Sequence, residues 1–268
     1  MIRLCLAGGL GRMGRTIASV LEKEDVISLV SIFETPEAVA SAGDYGRAAG
    51  PSEEPVIVTS DAEEAVSPAD LVVDFSLPPA FDSIVKTCVA LSKPLVTGTT
   101  GIQDKQAKLR ALAARVPVVS APNMSIGMNV VFALCHRLAD VMGKTSDLEI
   151  VETHHRGKMD VPSGTARELA EILRKHTGKE IVVGRPAGTS RHAGEIAIHS
   201  LRAGDVPGSH SILFVPEGET VEISHVARSR VCFAEGALRA VRFVMQAPPG
   251  LYDMMDVLGL RQAKEGRT

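Results

Sequence analysis

At 268 residues, 45% hydrophobic and 23% charged, the chain has the balance of a globular protein and enough length for two cores. Its net charge of -3 and 3% aromatic content, without tryptophan, exclude a general affinity for nucleic acid, which demands a basic face and stacking platforms. No apolar run reaches the roughly 18 residues that span a bilayer, so no membrane association is expected.

The N-terminus, MIRLCLAGG, has no basic leader and reads as a strand rather than a signal peptide. Residues 2–7 are near-continuously apolar, as a parallel strand buried on both faces must be. Glycines follow, and then Met13, Ile17, Val20 and Leu21 recur at helical spacing. Runs at 26–33, 56–59, 71–76, 94–99 and 117–122 are predicted strands, with helices between the last three at about 79–91 and 103–114. Such alternation predicts a doubly wound parallel sheet with helices on both faces. The stretch 35–55, rich in Gly, Ala, Pro and Glu, reads as a loose loop.

Beyond residue 122 the pattern changes. A long apolar helix is predicted from Ser125 to about Met142, with Val130, Val131, Leu134, Leu138 and Val141 in register. DLEIVETHH reads as a strand and SGTARELAEILRKH as a helix. EIAIHSLR, HSILFV and ETVEISHVAR then read as strands separated by Gly- and Pro-bearing turns, which predicts an open, largely antiparallel or mixed sheet. FAEGALRAVRFVMQ and LYDMMDVLGL are predicted helices. Cys5, Cys88, Cys135 and Cys232 show no CxxC spacing and lie in apolar stretches, so buried free thiols in a reducing cytoplasm are expected.

Gly8, Gly11 and Gly14 form G-x-x-G-x-x-G between a strand and a helix. Glycines there let the backbone approach a pyrophosphate, while the helix start offers N–H groups and a positive dipole end. A glycine pattern alone also suits a plain tight turn. Glu34 adds weight: it closes the second strand twenty residues beyond Gly14, where a carboxylate takes both ribose hydroxyls of an adenosine. GTTG (98–101) and APNMS (121–125) end two later strands, the edge where open parallel sheets bind ligands; ordinary turn chemistry would use the same residues.

EIVETHHRGKMDVPSGTAREL, residues 149–169, is the most unusual stretch. Histidine exchanges protons near neutral pH, and Lys158 is a compact cation able to hold a carboxylate or deliver a proton. The Ser163–Thr165 turn opens a helix whose first N–H groups attract an anion. The simpler alternatives are that Thr165 caps its helix in a T-x-x-E box with Glu168, or that Ser163 is the cap. His154 and His155 alternate across a strand end, so one at most faces a cleft directly. Histidines crowd residues 154–225, yet no HExxH or Cys/His ligand spacing occurs, and no metal is expected.

Together, GxxGRMG, VVDFS-x-P, GTTG, APNMSIGMN, HHRGKMDVPSGTA, IHSLRAGD and EISHVARSR-x-x-FAEGALRA resemble the dihydrodipicolinate reductase family over nearly the whole chain. The resemblance implies an α/β fold with a Rossmann-type parallel sheet at 1–124, completed by 235–268. A smaller α+β domain with an open mixed sheet, at 125–234, would bind substrate and assemble a homotetramer. It implies hydride transfer from NAD(P)H to a cyclic, conjugated imine dicarboxylate in lysine and diaminopimelate biosynthesis, in the cytoplasm. By the resemblance His154 is the proton donor/acceptor and Lys158 the proton donor, with His155, Gly164 and Thr165 on the substrate. The cofactor would meet Gly8, Gly9, Leu10, Gly11, Arg12, Met13, Glu34, Gly98, Thr99, Thr100, Ala121, Pro122, Asn123 and Met124. Three positions depart from the family pattern: Gly9 where Ala is frequent, VPGSH at 206–210, and Thr35 where some members carry a basic residue. A carboxylate at Glu34 repels a 2′-phosphate and Thr35 supplies no charge to offset it, so NADH is expected to serve at least as well as NADPH. The alternatives are another two-domain amino- or keto-acid dehydrogenase, which has no reason to carry HHxxK before PSGTA, and a non-catalytic NAD(H)-sensing regulator, for which the charge balance offers no partner surface.

Overall fold

The computed structural model describes residues 1–42 and 55–261. The chain divides into two units, Met1–Ile126 with Val231–Gly259, and Gly127–Arg230 with the residues from Leu260. The domain limits expected from sequence differ slightly. The return to the first unit comes at Val231 rather than 235, because the returning helix begins there. Leu260 and Arg261 group with the second unit.

In the first unit β1 (Ile2–Ala7) leads to α1 (Arg12–Leu21), β2 (Ile27–Phe33) and α2 (Pro36–Ala40). Then come β3 (Ile57–Thr59), α3 (Ala62–Val66), β4 (Leu71–Asp74), α4 (Pro78–Leu91), β5 (Leu95–Thr97), α5 (Gln106–Ala113) and β6 (Pro117–Ser120). α6 (Ile126–Met142) leads into the second unit, with β7 (Asp147–His154), α7 (Gly164–Thr177), β8 (Glu180–Val183), β9 (Glu195–Arg202), β10 (Gly208–Val215) and β11 (Val221–Ala227). α8 (Val231–Val244), β12 (Gly250–Tyr252) and α9 (Met254–Val257) return to the first. Part of the loop expected at 35–55 is α2, which Thr35 caps through its side chain and Pro36 starts; residues 43–54 lie outside the described ones. LYDMMDVLGL is not one helix but the end of strand β12 and the short α9. Asp253 interrupts it by taking an extended conformation and forming a capping box with Asp256.

The first sheet runs β12-β6-β5-β4-β1-β2-β3 and is parallel at every pairing. Its strands alternate between two apolar layers. Leu4, Leu6, Leu71, Val73, Val96 and Val119 pack with α1 and α8, while Cys5, Ala7, Val72, Leu95 and Val118 pack with α3, α4 and α5. Each fully buried Leu or Val side chain stabilises this core by about 1.5–3 kcal/mol. Connections wind out from β1 toward β3 on one side and from β4 toward β6 on the other. The order therefore reverses between β1 and β4, the switch point where such sheets bind ligands.

The second sheet runs β11-β10-β7-β9-β8. β10 pairs antiparallel with β11 and β7, whereas β7, β9 and β8 are parallel, so the sheet is mixed. β8, too short and half-exposed to stand out by pattern, pairs at the edge. α7 packs on β7, β8 and β9, burying Leu169, Ala170, Ile172 and Leu173. All four cysteines are free thiols. Cys5, Cys88 and Cys135 are buried, but Cys232, against expectation, is only half-buried in the first turn of α8. Burial pushes the Cys5 thiol up to about 12. No helix among the described residues is long and apolar enough to cross a membrane.

Candidate active site

The first unit gathers its predicted residues at the C-terminal edge of the parallel strands. Gly8 and Gly9 leave β1, Gly11 is the N-cap of α1, and Arg12 and Met13 start the helix. Gly8 has φ +77°, the left-handed region that favours glycine. Gly14 faces a tighter constraint: a Cβ there would lie 2.4 Å from the backbone of Gly8 and Gly9. The strand-to-helix turn can therefore fold this closely only with glycine at position 14. Leu10 N–H donates to Glu34 Oε1 at 2.8 Å, which ties the carboxylate at the end of β2 to the glycine loop.

Gly98 follows β5 against the ring of Phe75, and Thr99 donates through Oγ1 to Asp74 Oδ2 at 2.9 Å. Thr97 donates to the same oxygen, and Ser76 donates through its N–H and Oγ to Oδ1. The fully buried Asp74, in the VVDFS motif, thus binds the loop after β4 to the one carrying Gly98, Thr99 and Thr100. Ala121, Pro122, Asn123 and Met124 follow β6, and Asn123 Oδ1 accepts from Ser125 N–H at 2.9 Å, bracing this third loop. The close backbone turn, the helix start and the carboxylate at the neighbouring strand end fit the pyrophosphate and ribose of a dinucleotide.

In the second unit the buried face of β7 changes character along its length. Leu148 and Ile150 are apolar, and the next two residues on that face are Glu152 and His154. Glu152 Oε2 hydrogen-bonds His154 Nδ1. Its other oxygen accepts from Arg202 Nη1 at 3.0 Å and from Ser163 N–H at 3.3 Å. Register explains the meeting: Glu152 stands opposite His210 of β10, and His154 opposite Arg202 of β9. Burial acts to raise the pKa of Glu152, but hydrogen bonding, led by that from His154, overcomes it and holds the carboxyl at about 2. His210 packs edge-on to His154, ring centroids 5.1 Å apart. Burial, then the nearby His154 charge, pushes His210 down to about 3.

The turn after β7 is pinned by the same arginine. Arg202 donates to the carbonyls of Lys158 and Asp160 at 3.2 and 2.6 Å. Lys158 Nζ pairs with Asp160 at 2.8 Å, its side chain mostly shielded and the aspartate half-exposed. His155 is half-buried, and its carbonyl accepts from Lys158 N–H at 3.1 Å. α7 then begins at Gly164 with Ser163 as its cap, the Ser163 Oγ accepting from Ala166 N–H at 3.2 Å. Thr165 is therefore inside the first turn and is not the cap.

Glu152, Arg202, Asp160 and His210 were not among the residues singled out from sequence. For Glu152 the signal was present: E-x-H on a strand puts both side chains on one face. His210 and Arg202 needed the pairing of β7 with β10 and β9. Glu152, His154 and His210 also bring their ligand atoms within 4.8 Å of one another, a set with metal-binding potential. The guanidinium of Arg202 on Glu152 already supplies the positive charge there.

A nucleotide cradle and a buried acid–base group are what a pyridine-nucleotide-dependent reductase requires, and the fold and sites define this class. The chain belongs to the dihydrodipicolinate reductase family: the family's N-terminal model matches residues 2–124 and its C-terminal model residues 127–258. It is 40% identical to the 4-hydroxy-tetrahydrodipicolinate reductase of Thiobacillus denitrificans, over 97% of this chain and 99% of the relative. With the enzyme of the same name from Syntrophus aciditrophicus it shares 38% identity, over 97% and 100%. A solved structure of dipicolinate-bound dihydrodipicolinate reductase from Paenisporosarcina sp. TG-14 superposes with a TM-score of 0.75 at 25% identity, covering 96% of this chain and 98% of that one. A Thermotoga maritima protein titled a probable dehydrogenase, 12% identical with a TM-score of 0.62, shares the fold.

Proposed function

We propose that the chain reduces 4-hydroxy-tetrahydrodipicolinate to tetrahydrodipicolinate with NAD(P)H, a step of lysine and diaminopimelate biosynthesis in the cytoplasm. The observation that carries the reading is the grouping, within one unit, of buried His154, the paired Lys158 and the start of α7. The bound nicotinamide supplies a hydride. Loss of the 4-hydroxyl as water leaves a conjugated imine; adding hydride to it builds negative charge that a positioned acid must neutralise, and His154 and Lys158 serve that purpose. A substrate carboxylate competes with the half-exposed Asp160 for the Lys158 ammonium, while His155, Gly164 and Thr165 hold the dicarboxylate at the helix start. Gly164 supports this placement: beyond its chain neighbours and its own helix backbone, no described atom lies within 4 Å of where its Cβ would stand, so packing does not demand a glycine there.

The nucleotide binds along Gly8–Met13, Glu34, Gly98–Thr100 and Ala121–Met124. Glu34 favours two ribose hydroxyls over a 2′-phosphate, so NADH serves at least as well as NADPH. The working form is a homotetramer assembled through the second unit, and sedimentation of the purified protein tests that. For the activity, the protein is mixed with NADH and the condensation product of pyruvate and aspartate semialdehyde, and absorbance at the nicotinamide band is followed. Substrate-dependent oxidation, inhibited by pyridine-2,6-dicarboxylate, is the expected result; nucleotide binding without turnover would favour the sensing alternative.

A further inference from the structure

We propose that Glu152 is a positioning residue that fixes the His154 imidazole with its proton on Nδ1, leaving Nε2 as the proton-exchanging atom. The inference rests on the reading of His154 as the group that handles the proton. It starts from a hydrogen bond with only one sensible direction. Glu152 faces the Arg202 guanidinium and the Ser163 N–H through Oε1, so its carboxylate is ionised and can only accept. Nδ1 of His154 must then donate to Oε2. The bond made by one ring nitrogen sets the protonation of the other, which directs the chemistry to Nε2.

The surroundings keep that nitrogen accessible. A Cβ on Gly208 would stand 3.1 Å from Nε2, so the absence of a side chain at the start of β10 leaves this side of the ring uncrowded. The neighbouring His210 engages Ser163 Oγ through Nε2 at 3.3 Å, and its buried Nδ1 has no partner among the described residues. It therefore does not compete for Glu152. The charged groups bonded around the imidazole are Glu152 on its own strand and, through that carboxylate, Arg202 from β9. Through Arg202 the same carboxylate is also linked to the carbonyls of Lys158 and Asp160. One buried acid thus orients the imidazole and registers the turn that carries the ammonium.

The first test is made on the unaltered protein. With histidine labelled in 15N, the His154 ring signals are assigned by their absence from His154→Asn, and the neutral ring is expected as the Nδ1–H tautomer. An Nε2–H tautomer overturns the inference. In Glu152→Gln the amide can donate to Nδ1 as well as accept from it, so the Nε2–H form should gain population. Its kcat should fall on the order of 10²-fold, within the range for a mis-set acid–base group, with KM for substrate and nucleotide within about twofold. Glu152→Asp, which keeps the charge, should recover part of that loss. If both variants instead raise KM and leave kcat and the tautomer unchanged, Glu152 only braces Arg202 and the inference fails. Retention of kcat in His154→Asn would sink the underlying reading of His154. Loss of kcat in that variant together with the wrong wild-type tautomer sinks the inference alone.

Discussion

The glycines of the two units do opposite things. Gly14, in the first unit, is fixed by packing: backbone atoms of the preceding turn occupy the space a methyl group would need. Gly164, in the second, has open space where its Cβ would be, so packing sets no demand for a glycine there. The same contrast extends to the side chains. The nucleotide loops are braced by an inert polar frame, Asp74 with Thr97, Thr99 and Ser76. The second unit instead joins a buried histidine to a carboxylate that a guanidinium also holds, with an ammonium–carboxylate pair in the turn that follows the strand. In the proposed function, backbone shape holds the nucleotide and side-chain chemistry on the other unit handles the proton.

The largest expected effect tests that division directly. Replacing His154 or Lys158 by Ala should lower kcat by about 10²–10⁴ while leaving NADH affinity, measured by fluorescence titration, essentially unchanged. A parallel loss of NADH binding would show that the two functions are not separable and would reassign the pair to structural support.

The glycine pair is the next test. Gly14→Ala should destabilise the first unit by roughly 1–3 kcal/mol, as overpacking does, and should weaken NADH binding with it. Gly164→Ala should melt no earlier than wild type, since alanine is the better helix former, yet bind pyridine-2,6-dicarboxylate less tightly. Normal dicarboxylate binding by Gly164→Ala would remove Gly164 from the site. Thr165→Val separates the same issue at the neighbouring position. Because Ser163 is the cap, Ser163→Ala should carry the capping cost of about 0.5–2 kcal/mol, whereas Thr165→Val should act on KM.

The pH response should differ between the two scaffolds. His210 is held neutral down to about pH 3 in the folded protein, against an ordinary value of 6.5. Between these values the unfolded chain binds the extra proton, so stability falls as pH drops from about 6.5 toward 3. Glu152, depressed from 4.5 to about 2, withdraws its own contribution only below about pH 4.5. Urea midpoints between pH 6.5 and 4.5 should therefore decline less steeply in His210→Gln than in wild type. Equal slopes would refute the buried neutral histidine.

The smallest expected effect concerns nucleotide choice. Glu34, joined to the Leu10 N–H, should make kcat/KM for NADH equal to or above that for NADPH. A tenfold preference for NADPH, about 1.4 kcal/mol, would show that another group, with Arg12 the first candidate, outweighs the carboxylate.

The sequence by itself determined the parallel sheet of the first unit, because a strand buried on both faces must be continuously apolar and its turns must be glycine-rich; IRLCLAGG states both. It also determined the composition of the reactive segment, since HHRGKMDVPSGTA is contiguous and its helix start has a cap signature. What it did not decide was which hydroxyl caps that helix: Ser163 and Thr165 are chemically equivalent candidates, and the choice follows from where α7 begins. Nor did it reveal β12, whose three residues gain strand geometry only by pairing with β6. Above all, it did not bring Glu152, Arg202 and His210 to His154. Those residues lie on three strands whose neighbours are set by the order β10-β7-β9, and cross-strand register is a non-local property. A side chain's partner across a sheet depends on which strand closes beside it, and only the tertiary structure decides that.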